Sequence, residues 1–371
     1  MKQFRILALN PGSTSTKIAG FEGDREFFRR NVKHDASELA RYARVIDQLR
    51  PRKETILRAL AEEGIDIRSF DAYAGRGGGL VSCVSGVYEV IDKVREHERS
   101  GKYGGNHPAA LGGLISAEFA QEFGGRAFIV NGPDTDEFCD EARLTGFSEV
   151  FRASHTHALN QKETALVAAK ALGKAYGELN LIIAHIGGGV SVTAHRRGRM
   201  IDSNDIIDGD GPMAPTRSGA LPVKPFMDLC YSGKWTRDEM YTRMTKTGGF
   251  VDHLGTSDVL EVKEMIRSGD RYAKLVYDAF IYQIAKNIGS MAAVLCGTVD
   301  AIVLTGGIAR DEELVEKLKV RAGFIAPFLV YPGEFEMEAL AKGALRVLRG
   351  EEEPVVYTGE PVFTDFSYLK K

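Results

Sequence analysis

Two stretches of this chain share one plan. ILALNPGSTSTKIAG at 6–20 and IIAHIGGGVSVTAHR at 182–196 each read as an apolar strand, a glycine- or serine-rich turn, and a second apolar strand. On this reading Ser15 can be set against Ser191. One such hairpin is common. Two, each opening a half of the chain, argue for duplicated domains. Glycine is the composition outlier, 41 of 371 residues against a usual share of about 7%. Short clusters stand at 77–79, 187–189 and 306–307. A glycine within an element costs roughly 0.5–1 kcal/mol against alanine. Three in a row between buried strands therefore mark close approach of backbone to something. A phosphate is the natural candidate, because successive turn N–H groups make an anion nest. Taken singly, each hairpin is equally well read as a polar turn.

At about 150 residues per domain, the length predicts two or three domains. The net charge of −3 lacks the basic excess that nucleic acid or an anionic membrane requires, so neither is expected as a partner. With 44% hydrophobic and 27% charged residues, the chain has ample core material. Cys83, Cys139, Cys230 and Cys296 have no metal or redox spacing and read as free thiols in a reducing compartment. The N-terminal apolar run is too short for a signal peptide, and the apolar stretch 288–308 is broken by Asp300 and glycines. A cytoplasmic location is expected.

Period and punctuation place strands at 4–10, 15–21, 71–75, 127–130, 180–186, 190–195 and 300–305, with a hairpin turn and strand at 196–202. Helices are expected over 38–63 (broken at Pro51), 107–123, 157–173, 258–267, 270–296, from about 310, and 337–349. The tail 354–371 shows no clear period.

Polar residues bounded by glycine or proline complete the inventory. They are Arg76 before three glycines, His107 before Pro108, Asp134 in GPDTDEF, His155 and His157, Asp208 and Asp210 in DGDGP, and Arg217 in PTRSG. Each alone is more often a solvated loop residue. Together they supply guanidinium groups for phosphoryl or carboxylate oxygens, carboxylates for magnesium and histidine donors. No zinc spacing, H-E-x-x-H or G-x-S-x-G is present, so metallohydrolase and serine-hydrolase readings have no support. The P-loop and G-x-G-x-x-G spacings are absent as well.

In this order, LNPGSTSTK, GRGGG, NHPA, HALNQK, AHIGGGVSV, PTRSGALP, LTGGIA and PGEFEMEALAKGAL resemble the acetate and butyrate kinase family, within the sugar kinase–Hsp70–actin superfamily. HALNQK and the triple-glycine turn stand closer to the butyrate kinase pattern. The resemblance implies an α/β fold of two duplicated actin-like (ribonuclease H-like) domains with a catalytic cleft between them. The expected domains are residues 1–152 plus 337–371, and 153–336. It further implies reversible phosphorylation of a short-chain fatty acid by ATP with Mg2+, butyrate first, with acetate, propionate or a branched acid as alternatives, in a homo-oligomer that is at least a dimer.

By motif, Asn10, Ser13, Ser15 and Lys17 fall in the first phosphate hairpin. His185, Gly187, Gly188 and Gly189 fall in the second, and Gly306 and Gly307 in the adenosine loop. Arg76, Asp134, His157 and Arg217 take catalytic roles. Arg76 and His107 bind the substrate acid, and Glu338 lies near magnesium. The family's acidic position falls on Asp134 or Asn131, and its histidine position on Asn106 or His107. A polyol kinase of the same superfamily and a non-catalytic ATP switch are the competing readings. An alcohol needs a base to take its proton. A fatty acid, like Glu with its reference pKa of about 4.3, is already ionised at neutral pH.

Overall fold

The computed structural model describes residues 2–103, 107–207 and 209–369. Asn106 and Asp208, both named above, lie outside the described residues. The strands are β1 (Arg5–Pro11), β2 (Ser15–Glu22), β3 (Arg25–Lys33), β4 (Ala72–Gly75), β5 (Val87–Glu89), β6 (Arg126–Val130), β7 (Asn180–Ile186), β8 (Val190–Arg196), β9 (Arg199–Ser203), β10 (Ala301–Gly306) and β11 (Phe328–Pro332). The helices used below are α1 (Leu49–Glu62), α2 (Asp92–Ser100), α3 (Leu111–Phe123), α4 (Ala158–Leu172), α5 (Arg271–Val294), α6 (Glu312–Ala322) and α7 (Glu336–Leu348).

The chain divides into two units. One comprises Met1–Asp136, Ala158–Glu163 and Phe335–Lys371, the other Glu137–His157 and Thr164–Glu334. The first unit holds a sheet of order β3-β2-β1-β4-β6-β5, the second one of order β11-β10-β7-β8-β9. In the first, β1 runs antiparallel to β2 and parallel to β4, which is parallel to β6. In the second, β7 runs antiparallel to β8 and parallel to β10, which is parallel to β11. Apart from β5, the two sheets have one topology. The repeated hairpins β1–β2 and β7–β8 are the seed of a duplicated fold.

Both central strands are buried on both faces, as parallel strands covered by helices must be. Ile6 and Ala8 of β1 pack with Leu340, Ala344 and Leu345 of α7. Leu7 and Leu9 face Ile56 and Leu60 of α1 and Leu111, Leu114 and Ile115 of α3. In the second unit, Ile182, Ala184 and Ile186 of β7 pack with Phe280, Ile284 and Ile288 of α5. Leu181 and Ile183 face Ala165, Ala168 and Ala169 of α4. The period of two thus aims the odd-numbered end of β7, His185, towards the α4 side.

The structure departs from the sequence reading at several elements. Pro51 does not break a helix. It lies in the first turn of α1, where its missing N–H would have had no partner. Residues 108–110 form a 3-10 turn before α3. β3 was not expected, since REFFRRNVK carries five charges. It is an edge strand, where charge is the usual guard against pairing with another chain.

Glu98 of α2 is 3% exposed. Its carboxyl lies against Gly113 of α3, where a Cβ would come within 2.5 Å of Oε2, and neither oxygen reaches a hydrogen-bond partner. Burial first, then the charge of Asp134, pushes its pKa well above the usual carboxylate range, with the Gly78 amide opposing. A carboxyl raised in the folded state holds a proton that the unfolded chain releases, so stability falls as pH rises above the unfolded value near 4.3. Glu98→Gln is therefore expected to raise Tm at pH 7 by about a few degrees and to change it little at pH 4. Thermal denaturation of both proteins at the two pH values checks this, and equal shifts at both would contradict it.

Candidate active site

In the second unit, chemistry gathers at the end of the β7–β8 hairpin. His185 and Ser191 face each other in register, on the side of the sheet that α4 covers. His157 is the residue that caps the start of α4. Its ring stacks on that of His185, with centroids 3.9 Å apart, and its Nδ1 lies 2.9 Å from the Ser191 hydroxyl. Ser191 is fully buried, which makes it a support for His157 rather than a nucleophile.

The glycine turn between the strands is contacted by the 214–217 loop. Thr216 Oγ1 donates to the Gly188 carbonyl at 3.1 Å. The Arg217 guanidinium lies on Gly189, where a Cβ would fall 1.7 Å from Nη1 and 3.4 Å from His157 Cε1. A side chain at 189 would displace the Arg217 guanidinium from this place. At Gly188 nothing lies within 4 Å of such a Cβ, so that side of the turn is open. Arg217 Nη1 is shielded from water and has no hydrogen-bond partner. Burial pulls the Arg217 pKa down, while Asp205 acts in the opposite sense. An arginine with an unanswered donor beside an open glycine turn and two histidines offers the donors that an anion would need.

Gly306 closes the neighbouring strand. Its φ is +90°, and a Cβ there would sit 2.3 Å from the Ile186 carbonyl oxygen, so glycine is obligatory. Gly307 opens a 3-10 turn, and its own Cβ position is empty space.

In the first unit the equivalent hairpin carries Asn10, the next-to-last residue of β1, which pairs with Lys17. Asn10 Nδ2 donates to Glu336 Oε2 at 2.5 Å, and Arg76 Nη1 is 3.5 Å from Glu336 Oε1. Glu336 is the first residue of α7. The arrangement repeats that of the second unit, where His185 stacks on His157, the residue before α4. Ser13 and Lys17 are exposed and Ser15 half-buried on the turn. Asp134 Oδ2 accepts from the Leu80 amide at 3.3 Å, beside the loop that carries Arg76 and its glycines. Asn131 has φ +41° and braces a different turn, its Oδ1 accepting from Gly86 N at 2.8 Å. His107 Nδ1 accepts from Ala109 N at 3.2 Å. It lines a cavity of about 240 Å³ together with Val45, Ile46, Glu98, Ala110 and Leu111.

The structure thus gathers Asn10 and Arg76 in one unit, and His157, His185, Gly187–Gly189 and Arg217 in the other. It turns Glu338 elsewhere, into an ion pair with Arg29 at 2.5 Å. Two residues apart on a helix are about 200° around the axis, so Glu336 and Glu338 cannot share a target. The acid beside Asn10 is Glu336, which the sequence reading passed over. The setting of Ser15 against Ser191 also shifts. Four residues separate Pro11 from Thr16 and three separate Ile186 from Val190 in the paired hairpins, so the position matching Ser191 is Lys17. Ser191 and Glu336 lie inside the quoted segments AHIGGGVSV and PGEFEMEALAKGAL, but the sequence reading gave neither a role at the site. Only the period of two in β8 and the first turn of α7 would have pointed to them.

Residues 152–328 match the model of the acetokinase family. A probable butyrate kinase of Clostridium botulinum (strain Alaska E43 / Type E3) is 46% identical over 354 residues, 95% of this chain and 99% of that protein. Butyrate kinase 2 of Clostridium acetobutylicum is 46% identical over 355 residues, 96% and 99%. The chain belongs to the acetokinase family. Among solved structures, acetate kinase from Porphyromonas gingivalis superposes with a TM-score of 0.74 at 21% identity, covering 93% of this chain and 100% of that one. A propionate kinase from Francisella tularensis gives 0.70 at 19%, covering 91% and 98%. These neighbours share the fold, two duplicated actin-like units.

The unanswered Nη1 of Arg217 makes a direct test possible. Pyrophosphate is expected to raise Tm of the wild-type protein, by up to about 2.7 kcal/mol of stabilisation at a hundred times Kd. Arg217→Ala should abolish most of that shift and leave Tm without pyrophosphate nearly unchanged, since it removes a shielded donor that has no partner. A full shift in the variant would refute the anion site.

Proposed function

We propose that this acetokinase family member transfers a phosphoryl group reversibly between ATP and a short-chain fatty acid, butyrate foremost, giving ADP and the acyl phosphate. The observation that carries the reading is the pairing of two arginines with two phosphate-type hairpins. Arg76 stands beside Asn10 and Glu336, and Arg217 lies on Gly189 beside His157. The butyrate kinases 46% identical to the chain support the choice of acid.

The carboxylate nucleophile is ionised and needs no base. The barrier lies in bringing an anion onto the γ-phosphate, and positive charge with oriented N–H groups lowers it. In this reading the turns with Ser13, Ser15 and Lys17 and with Gly187–Gly189 hold phosphate oxygens, and His185 supports the second turn. Gly306 and Gly307 make the adenosine loop. Arg217 and His157 meet the transferred group. Arg76 holds the acid's carboxylate, and His107 lines the acid's pocket, whose walls combine apolar Val45, Ile46, Ala110 and Leu111 with Arg44, Glu98 and Arg99. Asp134 holds the Arg76 loop and orients water rather than acting as a base.

Among the described residues no group of three or more His, Cys, Asp or Glu could hold a metal ion. Magnesium fits as an ion that arrives on the nucleotide and is met by one carboxylate. Glu336, beside Asn10, suits that role, and Glu338, paired with Arg29, does not. When bound, magnesium would neutralise phosphate charge. No helix among the described residues is long and apolar enough to cross a membrane. The same reading puts the protein in the cytoplasm as a homo-oligomer, at least a dimer.

Hydroxylamine trapping with ATP and magnesium tests the proposal, with acetate, propionate, butyrate and isobutyrate offered separately and glycerol and glucose scored by ADP release. Hydroxamate should peak with the four-carbon acids. Arg76→Ala and Arg217→Ala should each lower kcat/KM about a hundredfold or more, on the scale of one lost transition-state donor. ADP release with a polyol and no hydroxamate with any acid would favour a polyol kinase.

A further inference from the structure

Beneath the turn of the first hairpin lies a residue that no motif marks. Arg52 of α1 is 0% exposed. Its Nη1 donates to the Gly12 carbonyl and its Nη2 to the Ser13 carbonyl, both at 2.8 Å. Nε and Nη2 also donate to Gln48 Oε1 at 3.1 and 3.0 Å, and Nη1 approaches Thr16 Oγ1 at 3.4 Å. Every one of these acceptors is uncharged. Burial lowers the Arg52 pKa to about 10, which still leaves a full positive charge at neutral pH. Together with burial, that charge keeps His34 neutral, its pKa lowered to about 4. His34 Nε2 lies 2.8 Å from the Thr16 hydroxyl.

Peptide planarity turns this clamp into a statement about the other side of the loop. In a trans peptide the C=O of one residue and the N–H of the next point in opposite directions. With the Gly12 and Ser13 carbonyls drawn inward to Arg52, the N–H groups of Ser13 and Thr14 are directed away from it, at a tip where both residues are exposed. Gly12 N is committed to the Ser15 carbonyl at 2.7 Å, which fixes the turn at its base. The result is a pair of outward N–H groups backed by a cation with no counter-charge of its own.

We propose that Arg52 is a positioning residue for nucleotide phosphate. It sets the peptide orientation of the 12–14 turn, and its uncompensated charge is answered by the polyphosphate of a nucleoside di- or triphosphate. This rests on the reading of the first hairpin as a phosphate site.

The test measures ADP and pyrophosphate binding by calorimetry, with steady-state kinetics, on the full-length wild type, Arg52→Gln and Arg52→Lys. Arg52→Gln removes the charge and the two-carbonyl clamp. It is expected to weaken ADP and to raise KM for ATP at least tenfold, with KM for the fatty acid within twofold. Arg52→Lys keeps the charge but cannot bridge both carbonyls in a fixed plane, so it should fall between the two. If Arg52→Gln does not fold, Arg52→Lys carries the test, with a threefold or greater loss of ADP affinity expected. Wild-type ADP affinity in a folded variant, or equal losses for ATP and for the acid, would overturn this role and leave the kinase reading standing. A wild-type protein that binds neither ADP nor pyrophosphate would overturn both.

Discussion

Each unit keeps a guanidinium against the turn of its central hairpin without giving it a carboxylate. Arg52 holds the Gly12 and Ser13 carbonyls in one, and Arg217 lies on Gly189 with Nη1 unanswered in the other. Among the described residues neither makes an ion pair. A shielded cation without a partner is costly, because desolvation is not repaid by a nearby opposite charge. A fold selected for stability alone would have neutralised both. The glycines follow from the same constraint. Position 189 must lack a Cβ for Arg217 to approach, and two peptides at 12–14 must turn inward for Arg52 to be satisfied.

The duplication reaches beyond the sheets. In each unit the next-to-last residue of the hairpin's first strand is polar, Asn10 or His185, and it touches a side chain at the entry to a helix from elsewhere in the chain. Glu336 opens α7 and His157 precedes α4. The two helices cover corresponding faces of corresponding strands, with Ile6 and Ala8 under one and Leu181 and Ile183 under the other. The side chains then diverge, a carboxylate in one unit and stacked imidazoles in the other. That division suits different tasks, since one sets an arginine and a carboxylate side by side and the other sets an arginine beside histidine donors.

Asp205 shows how the second unit moderates its own charge. It lies 2.8 Å from His155 Nδ1 and acts on Arg217 through space without bonding it. Asp205 thus opposes the effect of burial on the guanidinium, whose Nη1 donor stays uncommitted. A direct carboxylate partner would have stabilised the fold and blocked the site.

The strands of both hairpins, the glycine turns and the long helices were legible in the sequence, because they follow from period and punctuation that act within a few residues. β7 spans Asn180–Ile186, as the apolar run and its flanking glycines require. The duplicated plan was legible for the same reason, and so were Arg76, His157 and Arg217 as candidates, since each stands in a segment bounded by glycine or proline or beside a second histidine. What local pattern could not supply was partnership across hundreds of residues. Nothing in RPRK at 50–53 distinguishes the fully buried Arg52 from the exposed Arg50 or the half-buried Lys53. Glu336 and Glu338 are equally acidic in sequence and are separated only by the direction in which α7 meets β1. The role of Ser191 depends on a histidine 34 positions earlier. The sequence by itself determined the elements and their repetition, because hydrophobic period and backbone freedom are local. Tertiary structure alone decided which charges lie buried, because burial depends on what packs around a residue rather than on what surrounds it in the chain.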